Sequence, residues 1–366
     1  MILLLALIGA LAYVVLYYQN VRKYPKGPLP LPLIGNLYHI DQTGILGADG
    51  EVWREQRRAA LRIMREHGMG KNLMEAQVNL SIDELLKQLK ETNDGVKPFD
   101  MNMPIQLCVG NIINETLFGY QFKYANTAKF EFFVACLNRH LQGLRYQNFI
   151  EEEVDKVAAT FDANQEPTNF VQSYLAEMKK NPQLDMANLY AIVVDFWLAG
   201  METTSTTLRW TLLFLMKHPH VQLLSVVGRG RRLEMADKPR LPYFTAAIAE
   251  AQRTANMITF LPLADTVICG NLVPAGTLTL HQIYSVLKDD EVFERADAFL
   301  PERFLEADGK TASKKHLDRL IAFGMGKRQC VGEALARMEL FLVLGTLLLS
   351  YRFAPCEPLD LTPIFG

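Results

Sequence analysis

Most of what this 366-residue chain can fold into is constrained by ten residues near its end, Phe323-Gly324-Met325-Gly326-Lys327-Arg328-Gln329-Cys330-Val331-Gly332. Glycines at 324, 326 and 332 permit φ > 0 and close approach of another body, so the stretch predicts a loop wrapped against something flat or bulky. Directly after it, Ala334 to Leu349 is rich in Leu, Ala, Arg and Glu at helical spacing, which places Cys330 just before a helix N-terminus. A helix start favours anions, and Lys327 and Arg328 add positive charge. Together they push the thiol toward thiolate within a loop of backbone N–H donors. A lone cysteine is ordinarily a small buried hydrophobe; the glycine and arginine spacing argues here for a ligand.

That spacing, Phe-Gly-x-Gly-x-Arg-x-Cys-x-Gly, resembles the haem-binding signature of the cytochrome P450 family. The resemblance implies haem b (iron protoporphyrin IX) held against Phe323, Gly324, Gly326, Arg328 and Gly332, with the Cys330 thiolate as the metal ligand whose electron donation favours O–O cleavage. Three other segments match the same family in the expected order. Within an apolar helix predicted over 185–217, Ala199-Gly200-Met201-Glu202-Thr203-Thr204 interrupts the pattern with hydroxyls that bond back to carbonyls one turn earlier. Gly200 there removes a side chain that would keep a ligand from the backbone. Apolar residues surround the stretch, which argues for burial over a solvent-facing Thr stripe. It resembles the family's oxygen-activation motif, implying that Thr203 acts on bound oxygen and Glu202 feeds protons through water. Glu250 and Arg253 share a helix face at i and i+3, a pattern common by chance. With Arg303 in Pro301-Glu302-Arg303-Phe304 they resemble the family's Glu-Arg-Arg network that braces the cysteine loop. Trp53 and Arg57, four apart on a predicted helix, match a pattern that holds a haem propionate. Arg54, Arg58, Arg62 and Arg65 form a second stripe, either a solvated face or a docking surface for an acidic electron donor.

Residues 1–20 predict a transmembrane signal anchor: Met1 to Tyr18 carries no charge and is just long enough to span a bilayer. Arg22, Lys23 and Lys26 follow the apolar run and no basic residue precedes it, so a retained anchor with the rest of the chain in the cytoplasm is favoured over a cleaved signal peptide. A basic, proline-rich hinge over 21–36 follows, and then a haem-binding monooxygenase domain over 37–366. Five cysteines without a Cys-x-x-Cys pair argue against a disulfide framework or zinc site. A net charge of −2 gives no argument for nucleic acid.

Helical patterns cover 51–67, 75–92, 102–118, 127–144, 150–161, 168–180, 185–217, 243–257 and 331–350, while Val267 to Thr279 reads as a hairpin or a pair of short strands. The expected fold is therefore mainly α, a cytochrome P450-like helical fold with a minor, incomplete β-sheet behind an N-terminal transmembrane helix. Against the family's usual arrangement the link over 37–52 is short, a second gap falls between about Arg145 and Phe149, a third between Arg253 and Asp265, and the chain stops at Gly366 before a closing hairpin.

The resemblance implies a monooxygenase inserting one atom of O2 into a lipophilic small molecule. Electrons would come from an NADPH-dependent flavoprotein reductase, with a b-type cytochrome as a second donor, at the endoplasmic reticulum membrane. The gaps leave open an inactive, membrane-anchored haem-binding isoform. A third reading makes Cys330 a plain core residue in a helical membrane protein without haem.

Overall fold

The computed structural model describes residues 13–14, 16–18, 43–69, 72–92, 97–138, 143–218, 231–255, 259–262, 266–268, 271–273, 278–281 and 283–359. Eight helices lead the described chain: α1 (Gly50–Glu66), α2 (Asn72–Thr92), α3 (Asn102–Phe118), α4 (Ala128–Asn138), α5 (Gly143–Ala159), α6 (Phe170–Met178), α7 (Met186–Lys217) and α8 (Pro242–Ala255). Strands β1 (Thr259–Pro262), β2 (Thr266–Ile268), β3 (Asn271–Val273) and β4 (Leu278–His281) follow, then α9 (Ile283–Leu287), α10 (Lys314–Leu317) and α11 (Glu333–Ser350).

The protein is mainly helical with very little strand, as the periodicity predicts. β2 pairs antiparallel with β3, Thr266 opposite Val273, and β1 with β4, Thr259 opposite His281, so the predicted pair of short strands sits inside a second two-stranded ladder. The helix expected over 127–144 differs: α4 ends at Asn138, and α5 begins at Gly143 rather than 150. α5 therefore runs unbroken through Arg145 to Phe149, where the second gap was expected, with Ile150 and Val154 buried one turn apart. The third gap falls on a stretch of which residues 254, 255 and 259–262 are described, the end of α8 and β1.

Contacts divide the chain into two compact units, residues 1–63 with 116–198, and residues 64–115 with 199–366. In the first, α7 contributes Trp197, packed edge-on to Phe133 with ring centroids 3.8 Å apart, and Phe149 lies 4.8 Å from Phe133. Such tilted aromatic contacts add to area burial. Asn169 caps α6, its Oδ1 accepting from Gln172 N at 3.0 Å, while its Nδ2 donates to Phe118 O at 3.2 Å. In the second unit, α11 buries nearly its whole length, from Leu335 to Leu347. A Cβ at Gly345 would stand 2.2 Å from Leu233 Cδ2, so only glycine permits that approach.

Among the described residues no helix is long and apolar enough to cross a membrane. The predicted hinge over 21–36 lies outside the described residues, as does the predicted anchor over 1–20 except for helical residues 13, 14 and 16–18.

Candidate functional site

Within the second unit, residues 326–328 make a single 3-10 turn, and Gly332 is the residue before the first helical residue of α11. The loop closes on itself: Cys330 N donates to Phe323 O at 2.9 Å, Gln329 N to Gly326 O at 3.2 Å, and Gly324 N to Ile321 O at 2.8 Å. Those three N–H groups bond carbonyls, so they are not the donors around sulfur that the sequence suggested. Glu333, in the first turn of α11, accepts from Gln329 Nε2 at 2.6 Å and from Arg337 Nε at 2.8 Å, and the Arg337 guanidinium lies 4.8 Å from the centre of the Phe323 ring. Both ends of the loop are thereby tied to one helical turn.

Gly324 and Gly326 both have φ of +71, which favours glycine. Gly332 has φ of −90 and nothing within 4 Å of where a Cβ would stand, so neither backbone nor any protein neighbour demands glycine there. The same open space lies beside 324 and 326. Cys330 is exposed and not in a disulfide. An open glycine-lined face with an exposed cysteine, a soft ligand once deprotonated, beside Lys327 and Arg328 fits a flat metal-bearing cofactor such as haem.

The hydroxyl stretch of α7 in this unit behaves as predicted. Thr203 Oγ1 donates to Ala199 O at 2.6 Å, Thr207 Oγ1 to Thr203 O at 2.8 Å, and Thr211 Oγ1 to Thr207 O at 2.6 Å. Thr204 and Ser205 are buried and Thr203, Thr206 and Thr207 half-buried, which argues against a wholly solvent-facing stripe. Gln106 of α3 and Thr206 hold the Glu202 carboxylate at 3.1 and 3.2 Å, with Arg209 at 3.5 Å. The space that Gly200 leaves is occupied by protein: a Cβ there would stand 3.2 Å from Ile113 of α3, so this glycine serves helix packing.

Glu250, Arg253 and Arg303 come together. Glu250 and Arg253 are fully buried; Arg253 Nε and Nη2 make a forked pair with the carboxylate at 2.8 and 2.9 Å, and Arg303 Nε adds a bond at 3.1 Å. Leu300 N donates to the same carboxylate at 2.8 Å, and Arg253 Nη1 donates to Leu287 O at 2.6 Å. Arg303 reaches the carbonyls of Glu294 and Arg295, at 2.7 and 3.1 Å. Two buried cations on one carboxylate, with the remaining donors on carbonyls, meet the condition under which buried charge is tolerated.

In the first unit, the Arg57 guanidinium lies 5.8 Å from the centre of the Trp53 ring, so these two side chains do share a face of α1. The second arginine stripe is largely neutralised: Arg54 pairs with Glu51 at 2.5 Å, Arg58 with Glu55, and Arg62 with Glu177 at 2.6 Å. Such exposed ion pairs are what the solvated alternative expects.

Two carboxyls withdrawn from solvent were missed in the sequence, Asp195 half-buried and Glu339 buried. Asp195 of α7 accepts from Ile45 N at 2.7 Å and Leu46 N at 2.9 Å, while Asn188 accepts from Gly44 N at 3.1 Å. These bonds dock the described part of the short link over 37–52 onto α7 within the first unit. Burial pushes Asp195 up to about 6 against the pull of those two N–H groups. Glu339 of α11, in the second unit, is buried, and burial pushes it up to about 8. The readable signal at both positions is one acid within an apolar helical run, Ile192 to Leu198 and Met338 to Leu344.

A sequence model of the cytochrome P450 family matches residues 7–147 and 130–365. The chain is 29% identical to "Cytochrome P450 2J3" of Rattus norvegicus over 446 positions, covering 93% of this chain and 88% of the relative. It is 32% identical to "Cytochrome P450 2H2" of Gallus gallus, covering 98% and 82%, and 33% identical to "Cytochrome P450 2D6" of Pan paniscus, covering 90% and 74%. The match to the rat protein is longer than this 366-residue chain, so the excess lies opposite internal gaps in it. With the cysteine loop, the buried Glu-Arg-Arg cluster and a match running through nearly the whole sequence, the chain belongs to the cytochrome P450 family of haem-binding monooxygenases.

Proposed function

We propose that the protein inserts one oxygen atom of O2 into a lipophilic small molecule, using electrons from an NADPH-dependent flavoprotein reductase, with a b-type cytochrome as a second donor. The single observation that carries the reading is the open glycine face beside Cys330. Haem bound there supplies the iron at which O2 is split, one atom entering the substrate and the other leaving as water after two electrons and two protons. Cys330 is the thiolate ligand, and Phe323, Gly324, Gly326, Arg328 and Gly332 form the wall of the cofactor site. Trp53 and Arg57 hold a propionate. Glu202 passes protons inward, a role supported by its partial exposure and its three polar partners. With haem in place, Thr203 would present its hydroxyl toward the cofactor site after leaving the Ala199 carbonyl. Glu250, Arg253 and Arg303 brace the residues leading into the cysteine loop. Residues 1–20 anchor the chain in the endoplasmic reticulum membrane, the hinge over 21–36 spaces it, and residues 37–366 form the domain facing the cytoplasm.

A second reading, a haem-binding isoform without turnover, is favoured by the internal gaps opposite the relatives. One preparation separates the two. The reduced protein under CO is expected to show the strongly red-shifted Soret band of thiolate-ligated haem, and with reductase and NADPH to consume O2 in proportion to oxidised product. The band without product gives the isoform; no Soret band sinks both.

A further inference from the structure

Glu339 lies on α11, nine residues past Cys330, and is 2% exposed. No cation pairs with it among the described residues; its hydrogen-bond partner is the hydroxyl of Thr204, itself 3% exposed, in the stretch of α7 that begins with Thr203. The Cys108 thiol of α3 is fully buried, and burial pushes it well above the usual thiol range. All three residues belong to the second unit.

We propose that Glu339 is a positioning residue: a neutral carboxylic acid that fastens α11, the helix behind Cys330, to Thr204 of α7 and thereby fixes the rotation of the turn that carries Thr203. An ionised carboxylate at this depth with no cation would go uncompensated, so the acid form is the stable one. Of the charges on the elements around it, Lys238 in the 3-10 turn Met235–Arg240 is half-buried and makes no ion pair with Glu339 among the described residues, and the others are engaged elsewhere. The buried residues of α2 are uncharged. In α8, Glu250 and Arg253 engage each other, and in the 3-10 turn Met235–Arg240 the buried Asp237 is held by Arg231 and Arg240. On α7, Glu202 is bonded to Gln106 and Thr206 and paired with Arg209. Cys108 stays a neutral thiol across the working range. A charged acid would serve for attraction; a neutral one gives a directional bond that neither water nor salt competes for.

The clasp can be tested without haem. The folded acid holds its proton well above the pH at which the unfolded chain releases it. Its contribution is therefore full below the unfolded value of ~4.3 and declines as pH rises toward about 8. Thermal unfolding from pH 4 to 9 should show the melting temperature of Glu339→Gln rising relative to wild type as pH increases, then levelling above pH 8. Parallel curves would overturn the neutral-acid assignment. Should the melts prove irreversible, an infrared difference spectrum between wild type and Glu339→Gln at pH 7 should show the carbonyl stretch of a protonated carboxylic acid, and its absence would overturn it equally. The effect on Thr203 rests on the monooxygenase reading. In haem-loaded protein, Glu339→Ala should raise peroxide formed per NADPH several-fold with the Soret band in place, and Glu339→Gln should restore coupling. If Gln fails to rescue, or Ala leaves coupling untouched, the positioning role falls. Failure of the monooxygenase reading shows separately, as no Soret band in wild type.

Discussion

The Glu250 cluster and the Cys330 loop lie in the same unit and are built on opposite principles. Around Glu250 the carboxylate meets two guanidiniums and a backbone N–H, and the remaining arginine nitrogens meet carbonyls. Around Cys330 the backbone closes on itself and leaves its glycine face open, with the cysteine exposed. The first arrangement is complete within the chain. The second is complete only with a partner, and a residue that looks dispensable in the empty chain there, such as Gly332, becomes meaningful once the partner is counted.

The contrast predicts a descending order of effects on the stability of the haem-free chain. Arg253→Ala should be the most severe, on the order of 3–5 kcal/mol, because it leaves a buried carboxylate short of its forked partner; an unchanged urea midpoint would show that the cluster is ornamental. Asp195→Ala, in the first unit, should cost about 1–3 kcal/mol by stranding the N–H groups of Ile45 and Leu46. Its pH signature is separate. Since its folded pKa is raised to about 6, the wild-type contribution is full below the unfolded value of ~3.9 and declines as pH rises through 6. Asp195→Asn should flatten that slope in melts between pH 4 and 7, and a slope retained by the Asn variant would place the titration elsewhere. Cys330→Ala should stay within roughly 0.5 kcal/mol of wild type, as exposed positions do, yet lose the thiolate-type CO band entirely. A retained band would break the ligand assignment. Gly332→Ala should be the mildest in the empty chain, a few tenths of a kcal/mol, and should nevertheless lower haem occupancy on titration; equal occupancy would mean that nothing lies against that face.

Legibility in the sequence followed the range of the interactions. Apolar periodicity located the nine longer helices, α7 nearly to its ends, and fixed spacings marked Cys330, Glu202 and Thr203. Arg253 and Glu250 could be paired from their i, i+3 relation, and Arg303 only through the family resemblance, because fifty residues separate it from them. The docking of Ile45 and Leu46 on Asp195 left no pattern to find, since it joins segments 149 and 150 residues apart through backbone N–H groups that carry no side-chain signature. The acceptors of the N–H groups of Gly324, Gln329 and Cys330 were not legible for a related reason: glycine spacing reveals that a loop turns, while the acceptors it bonds depend on how it closes. Gly200 was read as room for a ligand when a neighbouring helix had already claimed that room.

The hydroxyls of Thr203, Thr207 and Thr211 form a column along α7, each resting on a carbonyl four residues back. A hydroxyl so occupied is on standby. To reach anything outside the helix it must turn about its Cα–Cβ bond, a change of rotamer open on a picosecond to nanosecond scale. When Thr203 turns, the Ala199 carbonyl loses a donor and gains an open lone pair, a place where a water molecule can land. Releasing the hydroxyl and hydrating the helix are then one event.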